Sequence, residues 1–294
     1  MDNNIEKAAI NWYPGHMTKA RRSMESDIRL IDLIIELRDA RVPLSSMNPD
    51  IARLSRGRSR LVLLNKADLA DPAVTDAWIR SMAAQGISAV ALDSRKNSGM
   101  KPVEAAISEA VREKTERDRK RGILNRPTRI MIAGIPNVGK STFINSFVKK
   151  SAAKTGNKPG VTKGNQWISL RKGVELLDTP GILWPKFDSP VTGVHLAMIG
   201  SINDNILDIY DLAVQAVTLL EEHYPGVLAE KYSAQISEDP HEAMTAIAAA
   251  RNLIKKGQEP DTDRAATLLI NDLRSGRLGR ISLERPEAED GKEA

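Results

Sequence analysis

The run Arg129-Ile130-Met131-Ile132-Ala133 passes straight into Gly134-Ile135-Pro136-Asn137-Val138-Gly139-Lys140-Ser141-Thr142, and 140–150 reads as a helix. A β-rich run, a glycine loop and a helix start, in that order, form the context of a phosphate-binding loop. The glycines let the backbone wrap so that successive N–H groups face one anion, and the helix N-terminus adds its dipole. Asn137, Val138, Gly139, Lys140, Ser141 and Thr142 are then the phosphate contacts, with Lys140 between the terminal phosphates and the Ser141 hydroxyl as a ligand of Mg²⁺. Chance produces this pattern in about one chain in a hundred, so a mere turn is a weak alternative.

Such a loop belongs in a parallel sheet, and the chain supplies one. β-rich runs at 33–37, 60–64, 87–92, 129–133 and 174–177 end in polar loops, with 166–170 as an edge strand. Helical stretches at about 15–29, 48–56, 72–85, 101–121 and 140–150 lie between them. This alternation predicts an α/β fold, a parallel-type sheet covered on both faces with its ligand at the strands' carboxyl ends. After Trp184 no β-rich run recurs, and 205–223, 240–256 and 262–273 are amphipathic. The expected plan is a nucleotide-binding domain over 1–186, a linker over 187–204, a small all-α domain over 205–285 and an acidic tail over 286–294.

Three further motifs sit where strands end. In Asn65-Lys66-Ala67-Asp68 the Asp68 carboxylate can accept from the N1–H and 2-amino group of guanine, while adenine would leave it unpaired. Asn65 can hold the purine edge and tie its loop to the phosphate loop, the Lys66 stem can cover the ring, and Ala67 completes the turn. Asp93 and Ser94, after the next strand, can close the base pocket through backbone N–H groups. In Asp178-Thr179-Pro180-Gly181, Asp178 can hold Mg²⁺ through water and the Gly181 N–H can bond the γ-phosphate. Thr162, in the glycine-flanked loop 155–164, can complete the Mg²⁺ shell. Together these motifs imply a GTP-binding and GTP-hydrolysing domain. Their order is permuted, because Asn-Lys-x-Asp precedes the phosphate loop where Ras-like domains place it last.

Charge divides the chain in the same way. Residues 1–186 carry 33 Lys+Arg against 19 Asp+Glu, and 187–294 carry 10 against 19. A basic first part points to a polyanion as partner. Arg112 to Arg121 alternates signs on a helix and is read as a solvated face. The chain has no cysteine, which excludes disulfides, Cys-ligated metals and thiol nucleophiles. No apolar run is long enough to span a bilayer, and the start has no secretory or transit pattern, so a cytoplasmic location without membrane contact is expected.

The chain resembles the circularly permuted GTPases of ribosome assembly, most closely the ribosome biogenesis GTPase A family. The resemblance rests on Trp12-Tyr13-Pro14-Gly15-His16-Met17, Asp39-Ala40-Arg41-Val42-Pro43, the phosphate loop, Pro159-Gly160-Val161-Thr162, Asp178-Thr179-Pro180-Gly181-Ile182 and Gly279-Arg280-Ile281-Ser282-Leu283-Glu284. It implies late maturation of the large ribosomal subunit, hydrolysis stimulated by the particle, contacts with ribosomal RNA and proteins, and a C-terminal helical domain that helps grip RNA. A monomer is expected. One departure is the acidic C-terminal third, where any RNA contact must rest on Lys255, Lys256, Arg274, Arg277 and Arg280. A second is Ile182, which stands where Ras-like domains carry a water-orienting Gln. The resemblance offers His16 as the catalytic replacement and Asn137 as a candidate ligand for K⁺. A GTP-binding RNA scaffold with negligible hydrolysis is the alternative that Ile182 favours.

Overall fold

A computed structural model describes residues 15–96, 98–123, 126–150, 166–170, 173–184, 187 and 189–287. These fall into two compact units, 15–184 with 284–287, and 187–283.

The first unit runs α1 (Gly15–Asp27), β1 (Leu33–Asp39), α2 (Pro49–Leu54), β2 (Ser59–Asn65), α3 (Pro72–Ala84), β3 (Ser88–Leu92), α4 (Met100–Ala110), α5 (Arg112–Lys120), β4 (Thr128–Gly134), α6 (Lys140–Lys150), β5 (Gln166–Leu170) and β6 (Val174–Asp178). The sheet order is β3-β2-β1-β4-β6-β5. Every pair is parallel except the edge pair β5–β6, whose strands are joined by a short connection and run antiparallel. All seven residues of the central strand β1 are buried, because helices cover both faces of such a sheet. On one flank α3 lays Val74, Trp78 and Met82 against Val62 and Leu64 of β2. Helix starts follow the local chemistry: Asn48 and Asp71 accept from backbone N–H groups of the first turn, and each is followed by proline.

The expected helix over 101–121 is two helices. α4 buries Met100, Val103 and Ile107, whereas α5 buries nothing, so the stripe that packs the first ends before Val111. At the amino end of the sheet Asp32 receives Lys114 of α5 (2.9 Å), Arg126 (3.4 Å) and the Arg129 N–H (2.9 Å), while Arg58 donates to the Ile31 carbonyl (2.8 Å).

The second unit is helical: α7 (Pro190–Met198), α8 (Ile209–His223), α9 (Val227–Tyr232), α10 (Pro240–Ala250) and α11 (Thr262–Ser275). Two expectations need correction. The stretch 187–204 was expected as a linker but contains α7, which starts on a Ser189 cap and buries Leu196, Ala197 and Met198. The helix expected over 240–256 stops at Ala250; Asn252 turns left-handed at φ 52°, and Ile254 then bridges to Pro260.

The cations proposed for RNA contact in this unit are largely engaged within it. Arg274 donates to the Met198 (3.1 Å) and Ala197 (2.7 Å) carbonyls at the end of α7 and to the Asp204 carboxylate (2.7 Å). Arg277 pairs with the buried Asp272, which also accepts from Tyr232 (3.1 Å), and Lys255 pairs with Asp263. Hydrogen bonds from a charged donor to buried carbonyls stabilise more than neutral ones. Arg274→Ala should therefore destabilise the second unit by about 2 kcal/mol or more, measured as a lower urea midpoint by far-UV circular dichroism.

Candidate functional site

The phosphate loop leaves β4 at its carboxyl end and returns as α6. Asn137 adopts φ 58° and Gly139 φ 98°. A Cβ on Gly139 would lie 2.4 Å from Asn65 Nδ2, so both the backbone angle and the space demand glycine. Lys140 is buried, and its Nζ donates to the Gly134 (3.1 Å) and Ile135 (2.9 Å) carbonyls. Burial pushes its ammonium down to about 8, against the opposing pull of Asp178.

Asp178 to Gly181 abut this loop. Asp178 ends β6 and is buried, and the Thr179 hydroxyl donates to the Ile132 carbonyl at 2.8 Å. A Cβ on Gly181 would meet Pro136 Cα at 2.8 Å and Lys140 Nζ at 2.9 Å, which leaves room for nothing larger. The next residue is pinned by its backbone: the Ile182 N–H donates to the Gly134 carbonyl (3.3 Å), and its carbonyl accepts from Asn48 Nδ2 (2.9 Å). The Ile182 side chain is buried in the core.

Asn65 joins its own loop to the phosphate loop. Its Nδ2 donates to the Val138 carbonyl (2.7 Å), and its Oδ1 accepts from the Ser94 N–H (3.1 Å). Ser94 is held again where the Ser146 hydroxyl of α6 donates to its carbonyl (2.7 Å). The backbone N–H groups of Asp93 and Ser94 donate within the protein, to the Ser98 carbonyl (3.1 Å) and to Asn65 Oδ1, and the Asp93 carboxylate accepts from the Arg95 (2.9 Å) and Lys96 (3.3 Å) N–H groups. Asp93 shapes its turn.

The Asp68 Oδ2 accepts from Arg95 (3.0 Å), while its buried Oδ1 has no hydrogen-bond partner among the described residues. Lys66 stands at φ 61° with its ammonium 3.0 Å from Asp39, which ends β1. Arg41 grips the same carboxylate through Nε (2.9 Å) and Nη2 (2.8 Å), and both partners are buried. Asp39 and Arg41 were not among the site residues expected from sequence. The available signal was a charged pair ending a β-rich run, quoted above only for its resemblance. His16 lies in the first turn of α1; Thr162, the 159–162 motif and residues 12–14 fall outside the described residues.

The buried ion cluster gives a test. Burial pushes the Asp39 carboxyl up, but Arg41 and Lys66 outweigh it and hold the carboxyl well below its ordinary 3.8. Glu36, buried against Arg38 and Arg60, is lowered in the same way from 4.5. A carboxyl depressed in the folded state contributes stability above its unfolded value and loses it as pH falls toward the folded one. Urea stability should therefore drop below about pH 4, and Asp39→Asn should flatten that drop. The same variant leaves Arg41 buried without its counter-charge and should cost about 3–5 kcal/mol at pH 7.

The comparisons agree with this geometry. A family described as "50S ribosome-binding GTPase" matches residues 129–245, which begins at the phosphate-loop strand and leaves out Asn65 to Asp68, as a permuted order requires. The ribosome biogenesis GTPase A of Bacillus cereus is 47% identical over 279 residues, covering 95% of this chain and 94% of that protein. That of Thermotoga maritima is 33% identical over 280 residues, covering 95% of each. In structure, YlqF of T. maritima bound to GNP superposes with a TM-score of 0.60 at 29% identity, over 92% of this chain and 99% of that one. The GDP-bound form gives 0.61 at 28% identity, over 90% and 99%. With a phosphate loop and the Asn65-Lys66-Ala67-Asp68 loop meeting at one end of one sheet, and with relatives this similar over nearly the whole chain, the protein is a GTPase that belongs to the ribosome biogenesis GTPase A family.

Proposed function

We propose that this GTPase is an assembly factor that binds a precursor of the large ribosomal subunit in the cytoplasm, late in maturation, and hydrolyses GTP faster on the particle. The names of its relatives support the ribosomal role. The observation that carries the nucleotide chemistry is the placement of Asp68 Oδ1, buried and without a hydrogen-bond partner among the described residues, on the loop that Asn65 ties to the phosphate loop. A carboxylate oxygen held in that way is matched by the N1–H and 2-amino donors of guanine.

In this reading Asp68 accepts from the base, with Arg95, whose side chain is 65% exposed, giving way. The Lys66 stem covers the ring while Asp39 holds its ammonium. Lys140 exchanges two backbone carbonyls for the β- and γ-phosphates. Asn137, Val138, Gly139, Ser141 and Thr142 line the phosphates, and the Gly181 N–H meets the γ-phosphate. The donor set, one carboxylate and two hydroxyls, suits Mg²⁺, a hard cation that takes few protein oxygens and fills its shell with phosphates and water. Ser141, Asp178 and Thr162 would hold it, and it would neutralise charge developing on the phosphates.

Ile182 bears on the attacking water. Its side chain is buried and apolar, so it can neither donate to water nor accept from it. Intrinsic turnover is therefore slow, and His16 is the proposed catalytic group that orients water once the particle is bound. Asn137 is proposed to hold K⁺ beside the phosphates, where a cation offsets transition-state charge. The same buried Ile182 favours a second reading, a GTP-binding RNA scaffold that scarcely hydrolyses. Phosphate release stimulated by ribosomal particles separates the two: release at the intrinsic rate with saturating particles supports the scaffold.

Asp68→Asn should shift preference from guanine toward xanthine nucleotides, measured by competition against labelled GDP; unchanged guanine affinity refutes the base assignment. Lys140→Ala should abolish hydrolysis while the protein remains folded. His16→Ala should leave GTP affinity unchanged and slow particle-stimulated single-turnover hydrolysis about 10²-fold; a normal rate removes His16 from the mechanism.

A further inference from the structure

We propose that α5 and the amino end of the sheet form a docking surface for the phosphate backbone of double-helical RNA, remote along the strands from the nucleotide. The inference rests on the ribosomal reading above and names the surface involved.

The first observation is that α5 has no folding role of the ordinary kind. It is a nine-residue helix with no buried residue. Helices this short are marginal in water and usually depend on an apolar face packed against the fold. α5 is held instead by Lys114 on Asp32 and Asp118, and by continuity with α4. The second observation is charge. Residues 112–121 carry six Lys+Arg against three Asp+Glu. Arg117, Lys120 and Arg121 are exposed at spacings of three and four residues, and with Arg119 they make no ion pair among the described residues.

Neighbouring elements extend the patch. Lys114 and Arg126 converge on Asp32 before β1, Arg58 reaches Ile31 from the start of β2, and Arg126 remains exposed. One carboxylate is thus shared by two cations, and positive charge is left over where three strands begin. The third observation weakens the obvious competitor. Residues 187–283 carry 8 Lys+Arg against 14 Asp+Glu, and Lys255, Arg274 and Arg277 there are spent on Asp263, Asp204 and Asp272, which leaves Lys256 and Arg280 of the five cations named for RNA contact in that unit. The α5 end of the sheet offers a denser set, with Arg117, Arg119, Lys120 and Arg121 adjacent on one helix and without ion pairs among the described residues.

The site needs no sequence readout. A row of cations on a helix, without a groove or stacking platform beside it, contacts phosphates and recognises the form of the duplex. Nucleotide chemistry lies at the carboxyl ends of the same strands, so the two functions should separate cleanly in variants.

The test uses the full chain and a fluorescein-labelled 20-base-pair RNA duplex, titrated at several KCl concentrations. Arg117→Gln/Lys120→Gln/Arg121→Gln should weaken binding about ten-fold at moderate salt and reduce the slope of log K against log salt by about 2–3. GDP affinity and intrinsic hydrolysis should match the parent. Because α5 buries nothing, these changes should leave the fold intact, and Glu113→Gln/Glu116→Gln should do the converse and tighten binding. Unchanged affinity and slope in both variants overturn the proposal, as does loss of binding to an isolated ribosomal protein with RNA affinity intact. Sedimentation with ribosomal particles keeps the two readings apart. A parent that fails to sediment overturns the ribosomal reading and this one together; a parent and triple variant that sediment equally well overturn only the α5 assignment.

Discussion

The Asn65 side chain is the point on which the two halves of the candidate nucleotide site depend. In this permuted order the Asn65-Lys66-Ala67-Asp68 loop follows β2 and the Gly134 to Thr142 loop follows β4, with β1 between them in the sheet. The sheet register aligns the strand ends, but register alone does not set how loops above a sheet face each other. Two hydrogen bonds do so here. Asn65 donates to Val138 and accepts from Ser94, joining the loops that follow β2, β3 and β4 through one buried amide. The close approach of Nδ2 to the position of a Cβ on Gly139 shows how little slack remains. An aspartate at 65 would keep the acceptor and lose the donor, and a leucine would lose both.

A second set of contacts gathers round the loop after β1. Glu284 accepts from the Leu44 (2.7 Å) and Ser45 (2.9 Å) N–H groups, and its own carbonyl accepts from Trp78 Nε1 (3.3 Å). A few residues on, the Asn48 N–H donates to Glu36 (3.1 Å) while the Asn48 amide holds the Ile182 carbonyl. Glu284 follows directly on the last residue of the second unit. The segment that leaves the helical unit is therefore anchored to the same short loop that holds the backbone beyond Gly181.

The parts of the site legible in sequence were those in which a backbone requirement and a side-chain chemistry coincide in one short segment. Gly134 to Thr142 announces a turn, an anion cradle and a helix start together, and Asn65 to Asp68 and Asp178 to Gly181 follow β-rich runs that could be read independently. The strands matched because parallel strands buried on both faces are continuous apolar runs. What escaped depended on burial and on where the fold brings loops together. The spacing of Asp39 and Arg41 does not say that both are buried, nor that Lys66, on the loop after β2, reaches the same carboxylate. The helix α7 was missed because Pro190 to Met198 is apolar nearly all round, and a buried helix has no alternating face to reveal its period.

The same distinction governs charge. Counted along the sequence, Arg274 and Arg277 are as available to a polyanion as Arg117 and Arg121. In the fold they are not equivalent: Arg274 satisfies the last carbonyls of α7, and Arg277 balances a carboxylate that Tyr232 also contacts. Moving either onto a phosphate would expose a buried acceptor or leave Asp272 uncompensated, a cost that offsets much of the gain from one surface contact. Arg117, Arg119, Lys120 and Arg121 of α5 carry no such debt: none is in an ion pair among the described residues, and the acid between the first two, Asp118, is paired with Lys114. Net charge by segment shows which half of the molecule is basic, and the ion pairs decide which of its cations are available to bind.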